Sequence, residues 1–85
     1  MSRLLTTHDL KVIPPYFDEV LSRKKKFEVR KNDRDFRVND YLVLREYDKG
    51  RYTGNSCGAY VTYVLHGPAF GIEEGYVVMS IEVVS

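Results

Sequence analysis

Apolar residues recur at every second position along four stretches of the chain, which is the period of β-strands. These stretches are residues 8–13, 26–30, 41–47 and 59–65. A fifth stretch, residues 76–84, is rich enough in β-branched residues to predict a central strand. Turn-forming Gly, Asn or Asp residues separate the stretches. The pattern therefore predicts five or six short strands.

One segment near the start has the period of a helix instead. Phe17, Val20 and Leu21 are spaced at i, i+3 and i+4, so they share one face. Pro14-Pro15 precedes them, and proline is suited to the first helical position. Acidic residues follow in the first turn and basic residues after the last, as the helix dipole favours. This segment predicts one short helix.

Short strands that are apolar on both sides predict a mainly β (α+β) fold, a small closed or nearly closed barrel flanked by the helix. Phe36 is expected to pin its loop to the core, and Leu42 and Leu44 to face inwards. Residues 48–55 predict a long hairpin excursion. No linker or repeat divides the chain, so residues 1–85 are expected to form one domain. The sequence does not determine the oligomeric state, and a monomer is the expectation.

Composition narrows the class of protein. With 44% hydrophobic residues and nine Gly and Pro residues in total, the chain is in the globular range. Cys57 has no second cysteine to pair with, and His8 and His66 lack the spacing of a zinc site, so we expect no metal or cofactor. Both histidines are interpreted first as structural. No apolar run approaches the roughly 20 residues of a membrane span, so a cytoplasmic location without membrane contact is expected.

Charge is unevenly distributed although the net charge is only +1. Residues 23–37 hold eight basic and three acidic residues, a local charge of +5, and no Lys or Arg follows Arg51. An anionic partner is therefore expected to bind the first part of the chain.

The segment Leu21–Arg30 carries the main candidate chemistry. Cations at the end of a helix, beside a strand face with Glu28 and Arg30, predict a positive hollow that contains one acceptor. Such a hollow suits a phosphate and the polar edge of a base. The simpler interpretation of the same spacing is a solvated charged face, with a Glu–Arg pair worth about 0 to 1 kcal/mol.

With the Asn32-Asp33-Arg34 that follows it, this segment resembles the ASCH domains of the PUA-like superfamily. Their signature is a glycine-lysine turn after a short helix and then a Glu-x-Arg strand. The resemblance is closest to the small bacterial and phage ASCH-like proteins of the DUF3850 type. Arg23 replaces the usual glycine and Lys26 the common threonine. The resemblance implies a PUA-like β-barrel with a cleft between helix and barrel, proposed for the superfamily as an RNA-binding surface.

The resemblance also implies roles for individual residues. Lys25, Glu28 and Arg30 would line the cleft, and Lys11 and Arg34 would lie at its rim. We therefore predict a module that binds RNA or a nucleotide. Lys25 and Arg30 would neutralise phosphate, and Arg34 and Lys24 would add non-specific attraction. A base would stack on an aromatic residue. The stacking candidates are Tyr16, Tyr47, Tyr52 and Tyr63, with Tyr52 the first to test.

Two alternatives stay open. Some ASCH-like proteins are amidohydrolases that act on acylated cytidine, and the resemblance would make Lys25 and Glu28 the working pair. Glu28 occupies the position of their threonine nucleophile. A carboxylate could act as a general base there but cannot replace the hydroxyl nucleophile, so a binding module is favoured over an enzyme. The other alternative is a protein-interaction adaptor whose basic segment meets an acidic partner.

Overall fold

A computed structural model describes residues 5–84 and contains five strands and one helix. The mainly β fold with one short helix, predicted from the hydrophobic pattern, is confirmed. The elements in chain order are β1 (Thr7–Val12), α1 (Tyr16–Leu21), β2 (Phe27–Lys31), β3 (Tyr41–Asp48), β4 (Arg51–His66) and β5 (Tyr76–Val83).

All five strands belong to one curled sheet, in the order β1-β3-β4-β5-β2. β1 pairs with β3 in parallel, and the other neighbours pair antiparallel. β5 lies between two other strands, as its β-branched composition predicts. Within the described part of the chain, β1 and β2 do not pair with each other, so the sheet is a half-barrel whose two edges leave a gap.

The core fills the hollow of this half-barrel. α1 closes one side of it with Phe17 and Val20, whereas Leu21, on the same predicted face, is 44% exposed. Phe36 is buried, which confirms the predicted anchor of its loop. The buried apolar residues are Leu10, Val12, Phe17, Val20, Phe36, Leu42, Leu44, Cys57, Ala59, Val61, Val77, Met79 and Ile81.

The predicted excursion over residues 48–55 is wrong. The chain reverses tightly at Lys49 and Gly50, whose φ angles of 51° and 83° are those of a two-residue hairpin turn. Asp48 pairs directly with Arg51, and β4 then continues for 16 residues. Residues 51–56 have the composition of a loop, but they form a strand whose side chains lie in solvent. Their polarity reflects this exposure and not a loop.

A bulge within β4 explains a second departure from the predicted pattern. Its register with β5 shifts between Val61 and Tyr63. One extra residue reverses the faces of all that follow, so Val61 is fully buried and Tyr63 is 63% exposed. The predicted inward series through Val61, Tyr63 and Leu65 therefore ends at the bulge.

The two histidines have different surroundings. His8 is buried, and its Nε2 lies 2.9 Å from Asp40 Oδ2. The same carboxylate oxygen accepts a hydrogen bond from the backbone N–H of Arg37, so the pair ties β1 to the loop before β3. This is the structural role expected of His8. His66, at the end of β4, is exposed.

Candidate functional site

A cleft of about 320 Å³ lies between the two unpaired edges of the sheet. The end of β1 forms one wall, and the start of β2 with the turn before it forms the other. α1 contributes its first residue. The lining residues are Lys11, Val12, Ile13, Tyr16, Lys25, Glu28, Val29 and Arg30.

The turn between α1 and β2 positions the basic wall. The chain leaves the helix at Arg23, whose φ of 66° is left-handed. The backbone N–H groups of Lys24 and Lys25 both donate to Glu19 O at 3.0 Å. A side chain in this conformation costs about 1–2 kcal/mol, which is why glycine is common there. The strained turn places Lys25 in the cleft and leaves Lys24 exposed outside it.

Glu28 is the least expected feature of the site. It is only 4% exposed, whereas its apolar neighbours Phe27 and Val29 are 45% and 51% exposed. Glu28 is opposite the fully buried Met79 in the register with β5, so the charged face of β2 is the inner one. The interpretation of this face as solvated is therefore wrong for Glu28, although Lys24 and Lys26 are exposed.

Two cations lie beside the Glu28 carboxylate without satisfying it. Glu28 Oε2 is 3.8 Å from Lys25 Nζ and 3.4 Å from Arg30 Nη2. Among residues 5–84, Glu28 Oε1 and Arg30 Nε are buried and have no hydrogen-bond partner. A buried carboxylate is costly unless it is paired and hydrogen-bonded. An acceptor and a donor with unused hydrogen-bonding capacity thus lie side by side at the wall of the cleft.

Three of the basic residues predicted to lie in the cleft or at its rim donate to backbone carbonyl groups. Lys25 Nζ donates to Phe27 O and Arg30 Nη2 to Lys11 O, both at 2.8 Å. Arg34 Nη1 donates to Asp9 O. Arg30 and Arg34 therefore connect the β2 side of the gap to the edge of β1. Arg34 does not line the cleft itself.

Lys11 connects the cleft to a pair of aromatic side chains. Its Nζ is 4.5 Å from the ring centroid of Tyr47 and 6.0 Å from that of Tyr52. The two rings meet edge to face at 5.1 Å, across the strand pair β3 and β4. Tyr52 is 53% exposed. It lies on a strand and not in a loop, yet still adjoins the rim of the cleft through Lys11.

Sequence reasoning missed the apolar part of the cleft. Val12, Ile13 and Val29 line it, but in the sequence they are ordinary strand residues. Ile13 offers one signal, because it comes just before Pro14-Pro15, where a strand must end. Tyr63, one of the stacking candidates, is absent from the lining residues.

Cys57 lies in the core next to this charged wall. Burial raises the pKa of its thiol above the usual 9.0, and the negative charge of Glu28 raises it further, while Arg23 acts in the opposite direction. The thiol is therefore neutral at pH 7 and is not poised as a nucleophile.

Residues 5–84 offer neither a metal-binding cluster nor a membrane-spanning helix. Their His, Cys, Asp and Glu side chains do not gather in the way that would hold a metal ion. No helix among them has the length and apolar character needed to cross a membrane.

Comparison with known proteins relates the chain to a phage protein and to a family. A protein of Escherichia phage P2, named "Uncharacterized 12.9 kDa protein in GpA 3'region", is 42% identical over 57 residues. The matched region is 67% of this chain and 52% of the phage protein, so the chain spans about half the length of that relative. Residues 7–81 match the family described as Domain of unknown function (DUF3850). With nearly all of its sheet inside that match, the chain belongs to the DUF3850 family.

Proposed function

We propose that the protein is an ASCH-like module that binds single-stranded RNA, with one nucleotide unit in the cleft between β1 and β2. The observation that carries this proposal is the buried Glu28 carboxylate. Its Oε1 has no hydrogen-bond partner among the described residues, and Lys25 and Arg30 lie beside its other oxygen, Oε2. A site with a cation pair and one free acceptor matches a phosphate next to a base that can donate.

The cations keep donors available for a phosphate. An ammonium group has three N–H donors and a guanidinium group has five. Lys25 and Arg30 each use one of them on a backbone carbonyl. The remaining donors, together with the ammonium group of Lys11, would neutralise a phosphate at the mouth of the cleft.

The acceptor favours bases that present N–H groups. After a rotation of the carboxyl group that turns the buried Oε1 towards the cleft, Glu28 would accept from the exocyclic amino group of cytosine, adenine or guanine, or from a ring N–H. Tyr16 and the apolar Val12 and Ile13 would contact the face of the base. A volume of 320 Å³ is at the lower end of the roughly 300–1,000 Å³ of ligand pockets, so it suits one nucleotide and not a duplex.

Beyond the cleft, the RNA strand would pass Lys11 and reach Tyr52. It lines the cleft and also contacts the rings of Tyr47 and Tyr52. The next base would stack on the exposed Tyr52, and such stacking is worth about 1–3 kcal/mol per base. This arrangement favours an RNA strand over a free mononucleotide.

Binding of a labelled single-stranded RNA pool, followed by fluorescence anisotropy at several salt concentrations, tests the proposal. We expect Lys25→Ala to weaken binding and to flatten the slope of log affinity against log salt by about 0.7 for each phosphate that is no longer neutralised. Lys49→Ala removes an exposed lysine from the β3–β4 turn and is the matched control. Equal binding by wild type and a Lys25, Arg30 double alanine variant would refute the proposal.

A hydrolase is a second candidate, because Lys25 Nζ lies 3.8 Å from a buried carboxylate that borders the cleft. Glu28 would act as a general base toward water at an acylated cytidine. We expect turnover that is lost in Glu28→Gln. Absence of product after long incubation with the wild type excludes this candidate.

An acidic protein partner is the remaining alternative. Purification of the protein from cells distinguishes this alternative from the main proposal. RNA that stays bound would be seen in the ultraviolet spectrum of the purified protein, because nucleic acid absorbs more strongly than protein. Co-purification with an acidic protein, and no nucleic acid, would favour an adaptor.

A further inference from the structure

The outer surface of strands β4, β5 and β2 is apolar, although nothing in residues 5–84 covers it. Val29 is 51% exposed, Phe27 45%, Tyr63 63% and Tyr76 38%. Antiparallel sheets with one free face usually carry polar residues there. Exposed apolar surface of this kind marks an interaction site in soluble proteins. We call this surface the outer apolar face; its members are Phe27, Val29, Tyr63, Leu65, Tyr76 and Val78.

The strand register shows that this face is continuous. Val78 lies opposite Leu65 on β4 and opposite Val29 on β2, so one apolar row crosses all three strands. In the next row, Ser80 lies between Tyr63 and Phe27. From Tyr76 to Met79, β5 is thus apolar on both sides, as strands buried between two layers are.

A groove of about 450 Å³ runs along one end of the outer apolar face. One wall of the groove is formed by Gly71, Ile72 and Glu73 of the loop between β4 and β5. Val29 of β2 forms the other wall. Phe70, at the tip of this loop, is 92% exposed and has a left-handed φ of 51°. A large apolar side chain held in solvent at a strained position is typical of contact surfaces.

Charges flank the groove with opposite signs on its two sides. The loop side carries the exposed Glu73 and Glu74. The β2 side carries the exposed Lys31, which pairs in register with Tyr76. Residues 52–85 contain three glutamates, Glu73, Glu74 and Glu82, and no Lys or Arg, so this part of the chain has a net negative charge.

We propose that the outer apolar face binds a second copy of this chain in a two-fold dimer. In such a dimer the same patch meets itself, and a patch with opposite charges on its two flanks is complementary to itself. A two-fold axis parallel to β5 brings Lys31 of one copy opposite Glu73 of the other, twice per dimer. The apolar row of Leu65, Val78 and Val29 forms the centre. The dimer replaces the monomer expected from the sequence and does not depend on what the cleft binds.

Sedimentation of the full chain over a series of concentrations tests the dimer. We expect a reversible monomer–dimer equilibrium for the wild type and a monomer at every concentration for Val29→Glu. Val38→Glu is the matched control, because Val38 is a valine of similar exposure, 45%, outside the outer apolar face. It should dimerise as the wild type does. A wild type that stays monomeric, or a control that dissociates as fully as Val29→Glu, overturns the proposal.

A charge exchange tests the symmetry with variants that leave the core untouched. Lys31→Glu and Glu73→Lys should each weaken dimerisation by about tenfold or more, since each places like charges opposite one another. The double variant should restore the wild-type constant, because the pairs are then only reversed. Failure of the double variant to recover, or association only with a different protein, overturns this assignment.

Discussion

Apolar residues recur at every second position in both β2 and β3, yet in β3 they face the core and in β2 they face away from it. In β3 the apolar Leu42 and Leu44 are fully buried. In β2 the apolar Phe27 and Val29 are exposed and the charged Glu28 is buried. Alternation thus shows that a strand has two faces, but position in the sheet decides which face is inner. β3 is central, whereas β2 borders the gap where the cleft lies.

The largest expected effect tests the two strands by removing their apolar side chains. Leu44→Ala should lower the free energy of unfolding by about 2–5 kcal/mol, because it leaves a cavity in a closed core. At a protein concentration where the chain is monomeric, Val29→Ala should change it by less than about 0.5 kcal/mol, since half of that side chain is in solvent. Urea denaturation measures both. Comparable losses in the two variants would mean that the faces of β2 are misassigned.

Replacing the buried charge of β2 should lower both stability and RNA binding. Glu28→Leu removes the carboxylate but leaves Lys25 and Arg30 beside an apolar side chain, so we expect a loss of about 1–3 kcal/mol in the free energy of unfolding. RNA binding should fall at least about tenfold, because the acceptor is lost. Glu82→Leu, at an exposed position of β5, is the control and should leave both quantities unchanged. A Glu28→Leu protein that keeps wild-type stability or wild-type RNA binding contradicts the assigned role.

The arginine link across the gap should contribute less. Arg30→Lys shortens the side chain that donates to Lys11 O at 2.8 Å, and should lower the free energy of unfolding by about 1 kcal/mol. Hydrogen exchange should show faster opening of β1, the strand that this bond holds. Arg51→Lys alters an exposed arginine of the hairpin and serves as the control. Unchanged exchange in β1 would mean that the link does not hold the edge.

The smallest expected effect is a change in the thiol pKa of Cys57 when the charge of Glu28 is removed. Cys57 is the cross-strand partner of Leu44. Burial and the Glu28 charge raise the pKa of the thiol, so Glu28→Gln should lower that pKa towards 9.0. Thiolate absorbance in a pH titration measures the change. Glu46→Gln, on β3, provides a control carboxylate. An unshifted thiol in Glu28→Gln would show that the carboxylate does not act on it.

The same raised pKa fixes the direction of the alkaline pH dependence. The folded thiol holds its proton more tightly than the unfolded one. Its contribution to stability is therefore complete below the unfolded pKa of about 9 and is lost as pH rises through the folded value. We expect Cys57→Ala to flatten this alkaline loss in urea denaturation. An identical slope in both proteins would contradict the linkage.

Local sequence patterns accounted for most of the fold. They located the helix and all five strands, because period and turn residues act over a few neighbouring positions. They failed at the 48–55 hairpin, where Gly and Asn suggested a loop although backbone pairing with β3 extended the strand. They also failed after Val61, because a bulge depends on how two strands share hydrogen bonds. Such pairing depends on both strands together and cannot be predicted from the sequence of either strand alone.

The sequence by itself determined which residues carry charge, which alternate and where the chain turns, and it singled out Lys25, Glu28 and Arg30 as a group. Only the tertiary structure decided that Glu28 points inwards and that Arg30 reaches the β1 carbonyl. It also left Phe27 and Val29 facing solvent. The reason is physical: burial depends on which surfaces the sheet brings opposite one another, and these contacts join residues far apart in the chain.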